Sequence, residues 1–488
     1  MRLVLSETFD ELAREAGGRP AVVEGTEVVA YDRLLSWSKS ISRGLGDVGG
    51  QRVAVVLPNS AAFVATCFAV ARAGAVFAPL SVNYRSKELS FFLDDIRPSA
   101  IVVGPGAEER VLHAVDALPE KPALLRVDRP GSAEVLAAGN SKAGVAPAEG
   151  DPVLLLYTSG STGAPKRVVR THHQLLTEVH TLHQVFQVEE KDRFLGAAPF
   201  SHVNGLIRTM LTSMLGGATL YPVPKFARRP VLRLLAEERL TFFGAVPHMF
   251  ILLARTPTKE SVDLSALRLV FCSSAPLNAE DNREFHQRFG VWVRQLYGSS
   301  ETGTISFNDD ENPEAQITSV GRALPGVTLK ILDEDGDELS PGEEGEIAIR
   351  SPFAITSYEG NEEATRKSFR GGFYLSGDVG NIDADGYATL VGRKSLMINR
   401  GGFKVNPYEV EEAIRQHPYV DDVAVVGAPG PHGDQVVRSV VVPRKPVTAE
   451  EIALFCRDRI ADYKIPSRIE FAEGLPKSSA GKVLRHQL

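Results

Sequence analysis

The chain has 488 residues, 43% of them hydrophobic and 24% charged, a composition ordinary for a soluble globular protein and a length beyond what one hydrophobic core supports. Its 54 Lys and Arg against 61 Asp and Glu give a formal charge of −7, so it offers no basic footprint for nucleic acid or anionic lipid. Cys67, Cys272 and Cys456 have neither C-x-x-C nor Cys/His spacing, which argues against a disulfide framework and a zinc site and leaves three small, buried apolar residues.

At the N-terminus, Leu3-Val4-Leu5 is too short for a signal h-region, and Ser6-Glu7-Thr8-Phe9-Asp10-Glu11-Leu12 reads as an N-capped amphipathic helix. No stretch approaches the ~20 apolar residues of a membrane span, so a reducing cytoplasm is the expected compartment. Residues 53–57, 60–73, 76–80, 86–96 and 100–103 then alternate strand, helix, strand, helix, strand. Such a run predicts a parallel sheet covered by helices. Residues 137–150 read as a linker loop, followed by the buried strand Val153-Leu154-Leu155-Leu156.

That strand presents Tyr157-Thr158-Ser159-Gly160-Ser161-Thr162-Gly163-Ala164-Pro165-Lys166. Gly160 and Gly163 free the backbone to turn N–H groups toward an anion, Thr158, Ser159, Ser161 and Thr162 add donors, and Lys166 supplies charge. This is phosphate-binding chemistry. It departs from G-x-x-x-x-G-K-[ST], because the lysine stands three residues beyond the second glycine and Arg167 follows it. A P-loop NTPase is therefore not expected.

Strand-then-loop units recur at 196–200, 242–246 and 269–272. Beyond residue 321, short strands at 327–332 and 345–350 flank the acidic turn 333–337 and predict a small β subdomain. After Gly392-Arg393, a helix at 407–416, strands at 423–426 and 436–442, and a helix at 449–460 predict a small α+β domain.

The loop 157–166 resembles the signature loop of the adenylate-forming superfamily, the AMP-binding acyl-CoA synthetases and ligases. Four further motifs resemble that family in the same order: Tyr297-Gly298-Ser299-Ser300-Glu301, Ser376-Gly377-Asp378 with Gly392-Arg393, the stretch 394–411, and Pro476-Lys477-Ser478-Ser479-Ala480-Gly481-Lys482. The resemblance spans essentially the whole chain. It implies an α/β fold with a large N-terminal domain of parallel-rich sheets and a small β subdomain, plus a small mobile α+β C-terminal domain. The corresponding division is 1–392 for ATP and the acyl group, and 393–488 for the catalytic lysine.

The site follows from the same resemblance. Glu301 would bind Mg²⁺ together with nucleotide phosphate, Ser300 would keep the hydroxyl of the usual Thr, and Tyr297 would stack on adenine beside Gly298. Ser274, Ala275 and Pro276 would border the base. Asp378 would accept the ribose hydroxyls, a pairing that suits a carboxylate with two acceptor oxygens, and Arg393 would contact ribose or phosphate. Ser395 stands at the domain pivot, where the family carries Asp or Lys, and Gly401 and Gly402 would let a pantetheine arm pass. Lys482 would be the catalytic lysine, and His202 a gate between adenylate and acyl pocket. The implied cofactors are ATP, Mg²⁺ and coenzyme A, and the implied partner is a carboxylic acid, in a monomer or homodimer. A carrier-protein phosphopantetheine remains open as the alternative acceptor to free coenzyme A.

The acyl pocket would be walled by 202–206, 244–250 and 272–277, with Ser299 at its mouth and Ser273 where glycine is common. Arg208 and His248 are candidates for a second polar end of the substrate, against the commoner pairing of a helical arginine with a surface acid.

Overall fold

The computed structural model describes residues 3–137, 146–158, 165–259, 261–400, 403–430, 435–477 and 483–488. The chain divides into two compact units, one of residues 1–328 and 350–372, the other of 329–349 and 373–488.

The first unit is built on two large sheets. One has the spatial order Glu134–Ala137, Ala123–Arg126, Ala100–Val103, Arg52–Val56, Val76–Pro79, Pro152–Thr158, Lys166–Thr171. Its inner pairings are parallel, as the alternating pattern requires, and the two outermost strands run antiparallel. Between two of these strands, the helix Ala61–Arg72 starts at Ser60, whose hydroxyl accepts from Phe63 N at 3.1 Å. Every side chain from Ala61 to Ala71 is buried, so this helix is apolar all round. The expected cap at Ser6 is corrected: the helix Leu5–Ala16 begins two residues earlier than that cap implies, after Val4, with no side-chain cap. Leu5 is itself buried and is held through its N–H by His172, which supplies the partner a cap would have given.

The second sheet runs Arg322–Ala323, Gly303–Phe307, Arg294–Ser299, Leu269–Cys272, Phe242–Ala245, Arg193–Gly196, Thr219–Pro222, Pro20–Glu24, Glu27–Ala30. Arg193–Gly196, Phe242–Ala245, Leu269–Cys272 and Arg294–Ser299 are mutually parallel. Their carboxyl ends therefore share one edge, the usual position of ligands in open α/β sheets. Residues 197–202, 246–250, 273–277 and 300–301 leave the sheet there.

In the second unit, Thr328–Leu332, Gly345–Arg350, Phe373–Ile382 and Ala388–Arg393 form an antiparallel β layer. A further sheet orders Val420–Pro429, Gln435–Pro443 and Arg468–Phe471, with the helices Pro407–Arg415 and Ala449–Arg457 sharing its core through Val410, Ile414, Val423, Val441, Ile452 and Cys456. All three cysteines are free and buried, and burial pushes the Cys67 thiol up to about 12 and that of Cys456 up to about 11. They are packing residues, not nucleophiles. Among the described residues no helix is long and apolar enough to cross a membrane.

Candidate active site

Thr158 and Lys166 face each other in the antiparallel register of Pro152–Thr158 and Lys166–Thr171. Ser159, Gly160, Ser161, Thr162 and Gly163 lie outside the described residues. The chain leaves the phosphate loop as a strand, whereas a P-loop leads into a helix. Lys166 Nζ stands 4.5 Å above the centre of the Tyr358 ring, and the Tyr358 hydroxyl donates to Glu301 Oε1 at 3.0 Å. A cation, a phenol and a carboxylate are thus assembled in one cluster. Arg167, the residue that departs from the family's glycine, is engaged by Glu359 at 3.3 Å and Asp95 at 3.7 Å.

Tyr358 escapes a reading of the sequence. It lies in no phosphate-binding pattern, and its role appears only when the chain, 57 positions on, folds back onto Glu301.

Glu301 is only 6% exposed, and its carbonyl accepts from Ile355 N at 2.8 Å. Just before it, Ser299 N donates to Thr302 Oγ1 at 3.2 Å and the two hydroxyls lie 3.1 Å apart. No group of three or more His, Cys, Asp or Glu that could hold a metal occurs among the described residues. One buried carboxylate is what Mg²⁺ needs when the nucleotide phosphates complete its shell, so Glu301 fits that mode and a closed protein cage does not.

Tyr297 is buried, while Gly298 and Ser300 are half-buried at the end of their strand. The turn 273–277 is anchored at both ends: Ser273 N donates to Ala245 O at 3.1 Å and Leu277 N to Gln295 Oε1 at 2.9 Å. Between these anchors Ser274 has φ 76°, a left-handed conformation that a non-glycine residue seldom adopts, and Ala275 and Pro276 are exposed. Strain of this kind collects at binding sites and needs a well-fixed frame. His202 is half-buried at the start of the next turn; its N–H donates to Pro199 O at 3.1 Å and its carbonyl accepts from Leu206 N at 2.9 Å. His248 is exposed. Arg208 is buried, with Thr304 and Ser273 as hydrogen-bond partners, so the surface-acid reading does not hold for it.

In the second unit, Asp378 and Arg393 are register partners on neighbouring strands, with Nε 3.7 Å from Oδ1. Gly377, at φ 72°, turns its N–H to Glu346 Oε1 at 3.1 Å and so presents the Asp378 loop. Ser395 is exposed in the single 3₁₀ turn Lys394–Leu396 that follows. Gly401, Gly402 and Lys482 lie outside the described residues. The residues flanking the lysine motif are tied down: Lys477 and Val483 form an antiparallel bridge, Lys477 pairs with Asp422 at 2.8 Å, and Arg485 Nη2 reaches Glu411 Oε2 at 3.0 Å.

Comparison with known proteins shows the family and the fold. Residues 9–359 match the family described as AMP-binding enzyme, and residues 409–482 match the AMP-binding enzyme C-terminal domain. The chain is 33% identical to a feruloyl-CoA synthase of Amycolatopsis sp over 98% of its own length and 96% of that protein's. It is 31% identical to an oxalate–CoA ligase of Arabidopsis thaliana, covering 99% of this chain and 97% of the relative. Its fold is similar to that of ATP-bound MatB from Rhodopseudomonas palustris, with a TM-score of 0.90 at 27% identity, covering 100% of this chain and 98% of the other.

Proposed function

The chain belongs to the AMP-binding enzyme family, and from that premise we propose that it is an ATP-dependent carboxylic acid–CoA ligase. A carboxylate attacks the α-phosphorus of ATP and pyrophosphate leaves. The thiol of coenzyme A then displaces AMP from the acyl-adenylate. The observation that carries this reading is the cluster of Lys166, Tyr358 and buried Glu301 beside the glycine- and hydroxyl-rich loop.

Attack of one anion on another is opposed by charge, and the site answers with cations and donors aimed at the reacting phosphate. Lys166 and the loop hydroxyls bind the phosphates, Lys482 adds a second cation for the adenylation step, and Glu301 would hold Mg²⁺, which would supply neutralisation of phosphate oxygens. Tyr358 keeps the Glu301 carboxylate in place. Asp378 takes the ribose, Arg393 the ribose or phosphate, and Tyr297 with the turn 273–277 borders the base. His202 gates the acyl pocket. The functional domains divide at residues 392 and 393, with Ser395 as the pivot on which the C-terminal part turns between the two half-reactions, passing Gly401 and Gly402 to the pantetheine arm. Free, buried cysteines suit a reducing compartment, and the cytoplasm is the one we assign.

The relatives' names include an aromatic acid and a dicarboxylic acid, so they do not choose the acyl group. Free coenzyme A is favoured as acceptor because both those relatives are named for it. The test is to incubate the enzyme with ATP, Mg²⁺ and an acid panel, offering coenzyme A or a phosphopantetheinylated carrier protein. AMP and an acyl-CoA thioester are expected. ADP as product, or acylation of the carrier alone, would overturn the assignment.

A further inference from the structure

The eight residues Asn204–Leu211 form a π-helical segment just after His202. Such wide turns shift side chains off the α-helical positions and recur at functional sites. Arg208 lies within it and is 2% exposed. Its Nε donates to Thr304 Oγ1 at 2.9 Å and its Nη1 to Ser273 Oγ at 3.2 Å. Its Nη2 has no hydrogen-bond partner among the described residues. An added Cβ at Gly298 would come within 2.5 Å of that nitrogen. The unpartnered edge of the guanidinium therefore lies beside Gly298, at the strand end that leads to Glu301.

Charge around this group does not balance. Glu178 pairs with Arg170 at 3.0 Å, both side chains fully buried, and also accepts from Thr304 N and Thr304 Oγ1, each at 2.8 Å. Glu178 thus meets Arg208 only through the Thr304 hydroxyl. Two buried guanidiniums share one carboxylate, and Arg170 Nε and Nη1 also lack acceptors among the described residues. Burial draws the Arg208 pKa down to about 10, with Glu178 opposing and Arg170 assisting, which leaves the group protonated at neutral pH. An unneutralised buried charge is strongly unfavourable, so an anion from outside the chain is the natural complement.

We propose that the acid activated by this enzyme is a short dicarboxylic acid whose distal carboxylate pairs with Arg208 Nη2 and the Ser273 hydroxyl. This rests on the ligase reading above. An arginine in a fixed, bonded frame suits a carboxylate better than a flexible lysine would. A long or uncharged acyl tail would leave the guanidinium edge without a partner. Ser273, at a position where glycine is common in the family, then has a use as the second donor.

Diacids and monoacids of equal carbon count decide the matter: malonate against propanoate and succinate against butanoate, read by ATP–pyrophosphate exchange. A site built around a polar partner rejects the analogue lacking it steeply, so the wild type should favour the diacid in kcat/KM by on the order of 10² or more. Arg208→Met should abolish that ratio through the KM of the diacid while leaving the KM of ATP unchanged; Arg208→Lys should retain part of it. Wild-type preference for the monoacids would overturn the proposal. So would an equal loss for both series in Arg208→Met, or a rise in the KM of ATP, which would assign the guanidinium to nucleotide. Should Arg208→Met fail to fold, the wild-type ratio decides alone. If aromatic or longer acids drive exchange and neither diacid does, this inference falls and the ligase reading stands; if no acid does, both fall.

Discussion

At the scale of single residues, Glu301 is positioned by Tyr358 and not by its neighbours in sequence. The hydroxyl of Tyr358 gives the carboxylate one hydrogen bond at 3.0 Å in a buried setting. Removing it with Tyr358→Phe leaves the ring beneath Lys166 intact and costs about 1.4 kcal/mol, or about tenfold in adenylate formation. Glu301→Gln removes the charge proposed to hold Mg²⁺ and should cost more. Both variants should leave thioester formation from presynthesised acyl-adenylate near wild type, because pyrophosphate has left by then. Stopped-time assays of the two half-reactions with Mg²⁺ titration check this, and a Tyr358→Phe enzyme with unaltered adenylation would remove Tyr358 from the site.

At the scale of elements, the sequence makes local features legible. The apolar run at 153–156 and the alternation over 53–103 predict strands and helices that the structure reproduces within a residue or two. Short-range periodicity and turn chemistry set such elements. Contacts between distant segments are not written in either. Nothing near Arg208 announces that Thr304, 96 residues on, will bury it, nor that Leu5 will use His172, 167 residues away, in place of a cap.

The second of these contacts carries a pH dependence. His172 opens the helix His172–Phe186, is 1% exposed and accepts the Leu5 N–H on Nδ1 at 3.1 Å. Burial holds its pKa down to about 4 from 6.5, with Asp151 opposing. The unfolded chain takes up this proton near pH 6.5 and the folded chain only near 4, so the contribution is complete above pH 6.5 and is lost as pH falls toward 4. By pH 5 the loss is about 2 kcal/mol. Urea midpoints at pH 7.5 and 5 should fall for the wild type by more than for His172→Gln, which keeps an acceptor and cannot titrate. Equal falls would show that the proton goes elsewhere.

At the scale of the whole molecule, the motifs are split between the two compact units: Thr158, Lys166 and Glu301 belong to the first, Asp378, Arg393 and Lys482 to the second. A division of this kind lets one set of groups serve one step and retire for the next. On the role proposed for Lys482, Lys482→Ala should slow adenylation by about 10² to 10³, with thioester formation from supplied adenylate unchanged. Ser395→Pro fixes φ near −65° at the proposed pivot and should impair one half-reaction far more than the other. Equal losses in both steps, for either variant, would contradict alternation and leave a single working arrangement.

The expectations about activity all depend on one intermediate, the acyl-adenylate. The reversible first step interconverts ATP and pyrophosphate only when an acid is present to carry AMP, whichever thiol completes the reaction. ATP–pyrophosphate exchange, measured in Mg²⁺ without any thiol across short diacids, short monoacids and aromatic acids, therefore tests the account most directly. The predicted result is exchange strictly dependent on added acid and strongest with a short diacid. Exchange that is absent with every acid, or that proceeds equally without one, would contradict it.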